Sequence, residues 1–197
     1  SLNDYMKDYA PNYYDFMEGK KGKEHDFLYK RQSVSQNGDY YGFKNLAIGN
    51  YRNFGGIYVR KDVLDSWGVD IPVTIDDWTN LFKTAKANGV TNPFTCVQSI
   101  LGVNGTNTFN TAWDVANGFY VDETKVKFGP FEKSYKSYIT QLREWYKEGF
   151  IDPDFVTNDY NTIFGKITNK SAIASFGYVG SSFGVLIVTH TAPLQGD

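Results

Sequence analysis

The stretch "GGIYVRKDVLDSWGVDIPVTIDDWTNLFKTAKANG", residues 55–89, decides the fold class. Two glycines precede Ile57-Tyr58-Val59, a β-branched and aromatic run of the kind that fills a short strand. "KDVLDSW" follows with Gly68 behind it, which predicts a short helix with a glycine stop. Thr74 then stands three residues before Asp77 in an acidic variant of the capping box, where hydroxyl and carboxylate each satisfy a backbone N–H at a helix start. Trp78, Leu81, Phe82 and Ala85 recur behind it at helical spacing, and Gly89 closes the run. Strand followed by helix begins an α/β pattern.

Working outward, "TNPFTCV" predicts a buried strand, and residues 102–117, rich in Gly, Asn and Thr, predict a loop leading into a short helix. "FYVDETKVKFG" alternates on both sides of Asp122-Glu123 and predicts a hairpin. Residues 132–148 predict a helix with Tyr135, Tyr138, Ile139, Leu142 and Tyr146 on one face and Gly149 as its stop. A turn at "IDPDF", a helix over 160–168, a buried strand over 172–176 and a helix after Ser182 complete this half. Toward the N-terminus, residues 1–21 predict one or two short helices broken at Pro11. A polar stretch then leads to Asn37-Gly38, a hairpin signal, with Tyr40, Tyr41 and Phe43 as a short strand. No internal repeat is visible, and the alternation of helices and strands fits the α/β class.

The 197 residues suffice for one substantial domain or two small ones, and 41% hydrophobic content is enough for a core. A net charge of −2, from 20 basic and 22 acidic residues without long runs, leaves no footprint for nucleic acid or an anionic membrane. Apolar runs such as residues 185–188 fall far short of the roughly 20 residues of a membrane span. The single cysteine, Cys96, excludes an internal disulfide framework. Aromatic residues make up 17% of the chain, which directs attention to surfaces and clefts where a ring with a polar tip is useful.

Several motifs resolve into local structure. "GSSFG", residues 180–184, matches the G-x-S-x-G nucleophile elbow, with Ser182 as the serine. Only His190 and Asp197 follow it, His190 too close for a triad partner, and His25 lies upstream in a polar, Lys-rich stretch. A tight turn before a helix explains the pattern better than catalysis. Two histidines and one cysteine cannot build a zinc shell. "DYNTIFG", residues 159–165, fails as a calcium loop because Ile163 stands where an oxygen ligand belongs. Neither a phosphate loop nor a dinucleotide fingerprint is present. The pairs Asp152/Asp154 and Asp76/Asp77 have the spacing of a turn and of a helix N-terminus, which accounts for them without glycosidase chemistry. No catalytic residue, metal or cofactor is expected.

The opening stretch, with Arg60, Lys61, Asp62, Gly68, Pro72, Thr74, Asp77 and Trp78, resembles a segment of the extracellular solute-binding proteins that serve ABC importers for sugars and oligosaccharides. "NGFYVDETKVKFG", "LREWYKEGFIDPDF" and "IFGKITNKSAIASFGYVG" are similar to later family segments in the same order. The resemblance implies the periplasmic-binding-protein-like (type II) fold, two α/β lobes that close on a ligand like a hinge. It further implies that this chain is mainly the second lobe, a sheet flanked by helices, with the first lobe largely missing. Residues 1–54 would connect from the first lobe, 55–190 form the second, and 191–197 start the return crossing.

By the same resemblance Tyr178 is the counterpart of an aromatic that faces the sugar, with Gly177 and Gly180 letting backbone approach the ligand. Ser181 and Ser182 would cap a helix or bond a hydroxyl; Trp113 with Asp114 would be a second cleft position, and Tyr51 and Arg52 weaker ones. Trp67, Trp78 and Trp145 fall in helical patterns and are expected in the core. The implied partners are a carbohydrate and the transmembrane subunits of an ABC permease, the implied state a monomer, and the implied location the surface of a Gram-positive bacterium, lipid-anchored. The alternatives are a serine hydrolase using Ser182 and a standalone carbohydrate-binding module.

Overall fold

The computed structural model describes residues 1–18, 26–44, 55–102, 105–178, 180, 181 and 184. The chain divides into two compact units, Ser1–Arg52 and Asn53–Asp197.

In the first unit, helices α1 (Asn3–Tyr9) and α2 (Pro11–Met17) meet at Pro11, whose missing N–H and fixed φ suit the first turn of α2. A third helix, α3 (Asp26–Ser33), occupies what the sequence presents as a polar stretch, because it has helix-forming residues but no apolar stripe to announce it. Met6, Met17 and Tyr40 form the core, with Tyr13, Tyr14, Phe16 and Val34 packed around them. The strand expected after Asn37-Gly38 shrinks to one antiparallel bridge, Val34 to Tyr40, across a turn in which Gly38 takes φ +83°.

The second unit is built on strand β1 (Gly55–Val59), which pairs antiparallel with β4 (Ala174–Tyr178) from Gly55 opposite Tyr178 to Val59 opposite Ala174. Residues 93–96 are buried beside β4, but the strand expected there reduces to Phe94, which bridges in parallel to both Ala174 and Ile151. Pro93 has no N–H to extend that ladder; its carbonyl accepts from Ile173 N at 3.0 Å. Helices α4 (Lys61–Trp67) and α5 (Ile75–Ala87) follow β1. The Arg60 guanidinium grips Asp62 with two bonds of 2.7 and 2.6 Å and donates to the Ile167 carbonyl, fastening the end of β1 to helix α7 (Tyr160–Thr168).

At the head of α5, Thr74 Oγ1 accepts from Asp77 N at 3.1 Å while the Asp77 carboxylate accepts from Thr74 N at 2.8 Å, so the capping box is complete. Strands β2 (Phe119–Asp122) and β3 (Lys125–Phe128) form the expected hairpin, with its loop at Glu123-Thr124, one residue later than the sequence suggests. One face of this hairpin carries Phe119, Val121, Val126 and Phe128, and Phe119 remains 76% exposed.

Helix α6 (Lys133–Lys147) buries Tyr135, Tyr138, Leu142 and Trp145. Tyr135, Tyr138 and Leu142 of the expected face are buried and Trp145, 1% exposed, is in the core as expected, whereas Ile139 and Tyr146 stay 41% and 48% exposed. The place of Trp145 follows from its partner set. Phe82 meets the indole edge-on with centroids 5.2 Å apart, Phe109 does so at 5.0 Å, and indole Nε1 donates to Thr79 Oγ1 at 3.0 Å.

Replacing Thr74 by Ala is expected to cost about 1 kcal/mol, with Asp77→Ala adding less than its separate effect because the two share one motif. Trp145→Ala is expected to cost about 3–5 kcal/mol. Urea denaturation of the three variants and the double variant measures both.

Candidate functional site

A concave site of about 360 Å³ opens on the second unit where three segments converge. Gly56 and Ile57 come from the start of β1, Val73, Thr74, Ile75 and Trp78 from the head of α5, and Asn107, Thr108, Phe109, Thr111 and Ala112 from a loop ending in a 3-10 turn, Phe109–Trp113. Phe176 of β4 completes the lining.

Asparagines hold the loop wall in shape. Asn110 Oδ1 accepts from Thr108 N at 2.6 Å, and its amide donates to Asn107 Oδ1 at 3.0 Å and to the Val115 carbonyl. Asn107 Oδ1 also accepts from Asn117 N at 2.9 Å, while Asn117 Nδ2 donates to the Thr106 carbonyl at 2.9 Å. Side chains here perform the pairing that a sheet ladder performs elsewhere. Asp114 ends the turn in left-handed backbone, φ +50°, and Gly129 packs so closely behind that a Cβ would collide with the Ala116 carbonyl oxygen. The sequence signal for this wall was the run of asparagines at 107, 110 and 117, which reads locally as loop composition only.

None of the sequence-expected residues that the structure describes lines the concavity. Tyr178, half-buried, ends β4 with its ring edge-on to Phe176 at 5.2 Å and laid back over Gly55, where a Cβ would fall 2.7 Å from Tyr178 Cδ1. Trp113, also half-buried, leans on Tyr138 with centroids 5.7 Å apart, while its neighbour Ala112 lines the site. Asp114 and Ser181 are exposed, and Ser181 N donates to the Tyr178 carbonyl at 3.1 Å. Tyr51 and Arg52 lie outside the described residues, as do Ser182, His25, His190, Asp197 and most of the helix expected after Ser182. The wall residues Thr74, Asn107, Thr108, Thr111 and Phe109 were not singled out as ligand-facing by sequence, because only the fold brings them together.

The sequence matches the family model of bacterial extracellular solute-binding proteins over residues 1–196. The chain belongs to that family. Among solved structures, the S. pneumoniae ABC-transporter substrate-binding protein FusA, in complex with kestose, shares the fold at TM-score 0.67 and 21% identity, covering 92% of this chain and 39% of that one. The alginate-binding protein AlgQ2 is similar at TM-score 0.64 and 18% identity, over 92% of this chain and 37% of its own. An HMO-binding, ABC-transporter-associated solute-binding protein from Bifidobacterium longum infantis gives TM-score 0.65 and 19% identity, over 90% and 39%. This chain thus spans about two-fifths of the length of these relatives. No curated protein sequence matches it. Among the described residues of this solute-binding chain, no helix is long and apolar enough to cross a membrane, and no group of three His, Cys, Asp or Glu side chains could hold a metal ion.

The acidic pairs of this solute-binding protein serve its fold. Asp152, 1% exposed, accepts from Lys166 Nζ and Thr95 Oγ1 at 2.6 Å each, from Asn158 Nδ2 at 2.9 Å and from Asp154 N at 3.1 Å. Burial alone would raise its carboxyl; the hydrogen bonds from Lys166, Thr95 and Asn158 outweigh it and hold the group below the ordinary carboxylate value. Asp159 caps α7 by accepting from Thr162 N at 2.7 Å, which is the local role of the segment that fails as a calcium loop. Cys96, buried, has its thiol pushed up to about 12, first by burial and then by Asp152, and so stays protonated.

Lys166→Met strands a buried carboxylate and is expected to cost about 3 kcal/mol at pH 7. Since the folded pKa of Asp152 is depressed, its stabilisation is present above the unfolded value of about 3.9 and is lost as pH falls through the lower folded value. The gap between wild type and variant should therefore close below about pH 4. Denaturation midpoints followed from pH 7 to pH 3 measure it; a gap that persists in acid would assign the loss to packing.

Proposed function

We propose that this chain is the carbohydrate-facing part of a substrate-binding component, which captures an oligosaccharide between two lobes and delivers it to an ABC permease. The observation that carries the reading is the concave site: aromatic carbon from Trp78, Phe109 and Phe176 beside hydroxyls and amides from Thr74, Asn107, Thr108 and Thr111. Sugars offer the same two chemistries, C–H faces that pack on rings and hydroxyls that need directed hydrogen bonds. Trp113 and Tyr178, half-buried beside the site, would extend the aromatic wall, with Asp114 and Ser181 exposed next to them. Tyr51 and Arg52 would be further ligand contacts. Family membership supports capture without catalysis, and the kestose complex of FusA and the HMO-binding protein from Bifidobacterium longum infantis, both similar in fold, support carbohydrate as the ligand class.

In the whole protein, residues 1–54 would lead in from the first lobe, 55–190 form the second and 191–197 begin the return, so that closure of both lobes encloses the ligand. Docking of the closed form on the permease would follow at the outer cell surface, where a lipid anchor would hold the protein. A single lobe provides one wall of the enclosure, so binding by this chain alone should be weak.

The test is a thermal-shift screen of mono- and oligosaccharides, since a ligand that binds only the folded state raises its melting temperature by mass action. At millimolar sugar the chain should show a small, saturable rise that Trp113→Ala and Tyr178→Ala each reduce. A longer version carrying both lobes should show a larger rise with the same sugar. Equal stabilisation of both would favour a self-sufficient binding module, and silence in both would remove carbohydrate as the ligand class.

A further inference from the structure

The lining of the concave site has a chemical peculiarity: among the described residues it contains no ionisable side chain. Its polar groups are one amide and three hydroxyls, and several of their atoms are already engaged. Thr74 Oγ1 accepts from Asp77 N, Asn107 Oδ1 accepts from Asn110 and Asn117, and Thr111 Oγ1 donates to the Thr108 carbonyl. The groups left for a ligand include the Asn107 amide N–H groups and the Thr74 hydroxyl as donors and the Thr111 oxygen as an acceptor, the functions that a sugar hydroxyl uses.

Among the described residues of the lining, the feature that would attract an anion is the N-terminus of α5, whose backbone N–H groups carry partial positive charge. A carboxylate already stands beside it. The Asp77 carboxylate accepts from Val73 N at 3.2 Å and from Thr74 N at 2.8 Å, both on lining residues, and those bonds hold its carboxyl below the ordinary value, so it is ionised at neutral pH. An arriving carboxylate would meet a like charge at the helix head and no described cation in the wall, and burying it there without a partner is unfavourable.

On the strand side the site is bounded by Ile57 and Phe176, which face each other in the β1–β4 ladder, and by the backbone of Gly56.

Resting on the carbohydrate reading above, we infer that this wall selects neutral sugar rings over uronates and other carboxylated sugars. Selection arises from the lack of a cation among the described lining residues and from Asp77 at the helix head.

The experiment is a protein-observed NMR titration of the chain at low ionic strength. Kestose, maltotriose and xylotriose serve as neutral probes, and trigalacturonate and an alginate trisaccharide as carboxylated ones. Neutral sugars should shift the amides of Gly56, Asn107 and Thr111, with uronates at least tenfold weaker. Ala112→Leu, or Thr111→Leu, filling the site from the loop wall, should abolish the neutral response while the rest of the spectrum stays folded. Uronates binding as tightly as neutral sugars would overturn the inference and leave the carbohydrate reading standing. Neutral binding indifferent to both filling variants would overturn the assignment of the inference to this pocket. No response to either class would defeat the carbohydrate reading and the inference with it.

Discussion

The second unit depends on how one indole is held. Trp145 reaches from α6 into the space between Phe82 of α5 and Phe109 of the 3-10 turn, meeting both edge-on, and its N–H is satisfied by Thr79. Edge-to-face contacts constrain orientation as well as distance. Phe109 in turn meets Trp78 at 5.3 Å and Phe94 at 5.3 Å, so the chain of rings runs from α6 through the turn to α5 and to the extended segment beside β4. The walls of the concave site are the outer surfaces of these same elements. Its shape is therefore a property of the core, and the ligand-facing side of Phe109 or Trp78 cannot be moved without disturbing the other side.

A second, polar anchor works at the far edge of the sheet. Asp152 gathers Lys166, Thr95 and Asn158, binding the turn after α6, the extended segment and α7 through one carboxylate. The two anchors differ in kind: the aromatic one tolerates small rearrangement, whereas the buried ion is stable only while each of its partners stays in place. Neither is formed by residues close in sequence, which gives this small unit its long-range connections.

Elements with a complete local cause were legible in the sequence. The capping box and glycine stop around α5, the Pro11 break, the 160–168 helix and the β2–β3 hairpin all follow from neighbours within a few residues. Features decided by distant partners were not. The helical spacing of Ile139 and Tyr146 on α6 reads as buried although both stay exposed, and Pro93 limited a segment whose apolar composition reads as a strand. Tyr178 and Trp113 were singled out by family resemblance, and both are half-buried outside the lining. The lining itself was not, because Gly56, Thr74, Asn107 and Phe176 lie far apart along the chain and share no pattern that a linear reading can detect.

The ring of Tyr178 over Gly55 carries a consequence for how such a chain can diverge. The two positions face each other in the β1–β4 ladder, and the space a side chain at 55 would need is already filled by the tyrosine. They form a single heritable choice: a descendant that gains a side chain at 55 must accept a smaller residue at 178 or turn the ring away from the strand. Drift at an inconspicuous glycine would thus re-aim a ring that packs edge-on against Phe176 of the concave site, with no change in any residue of its lining.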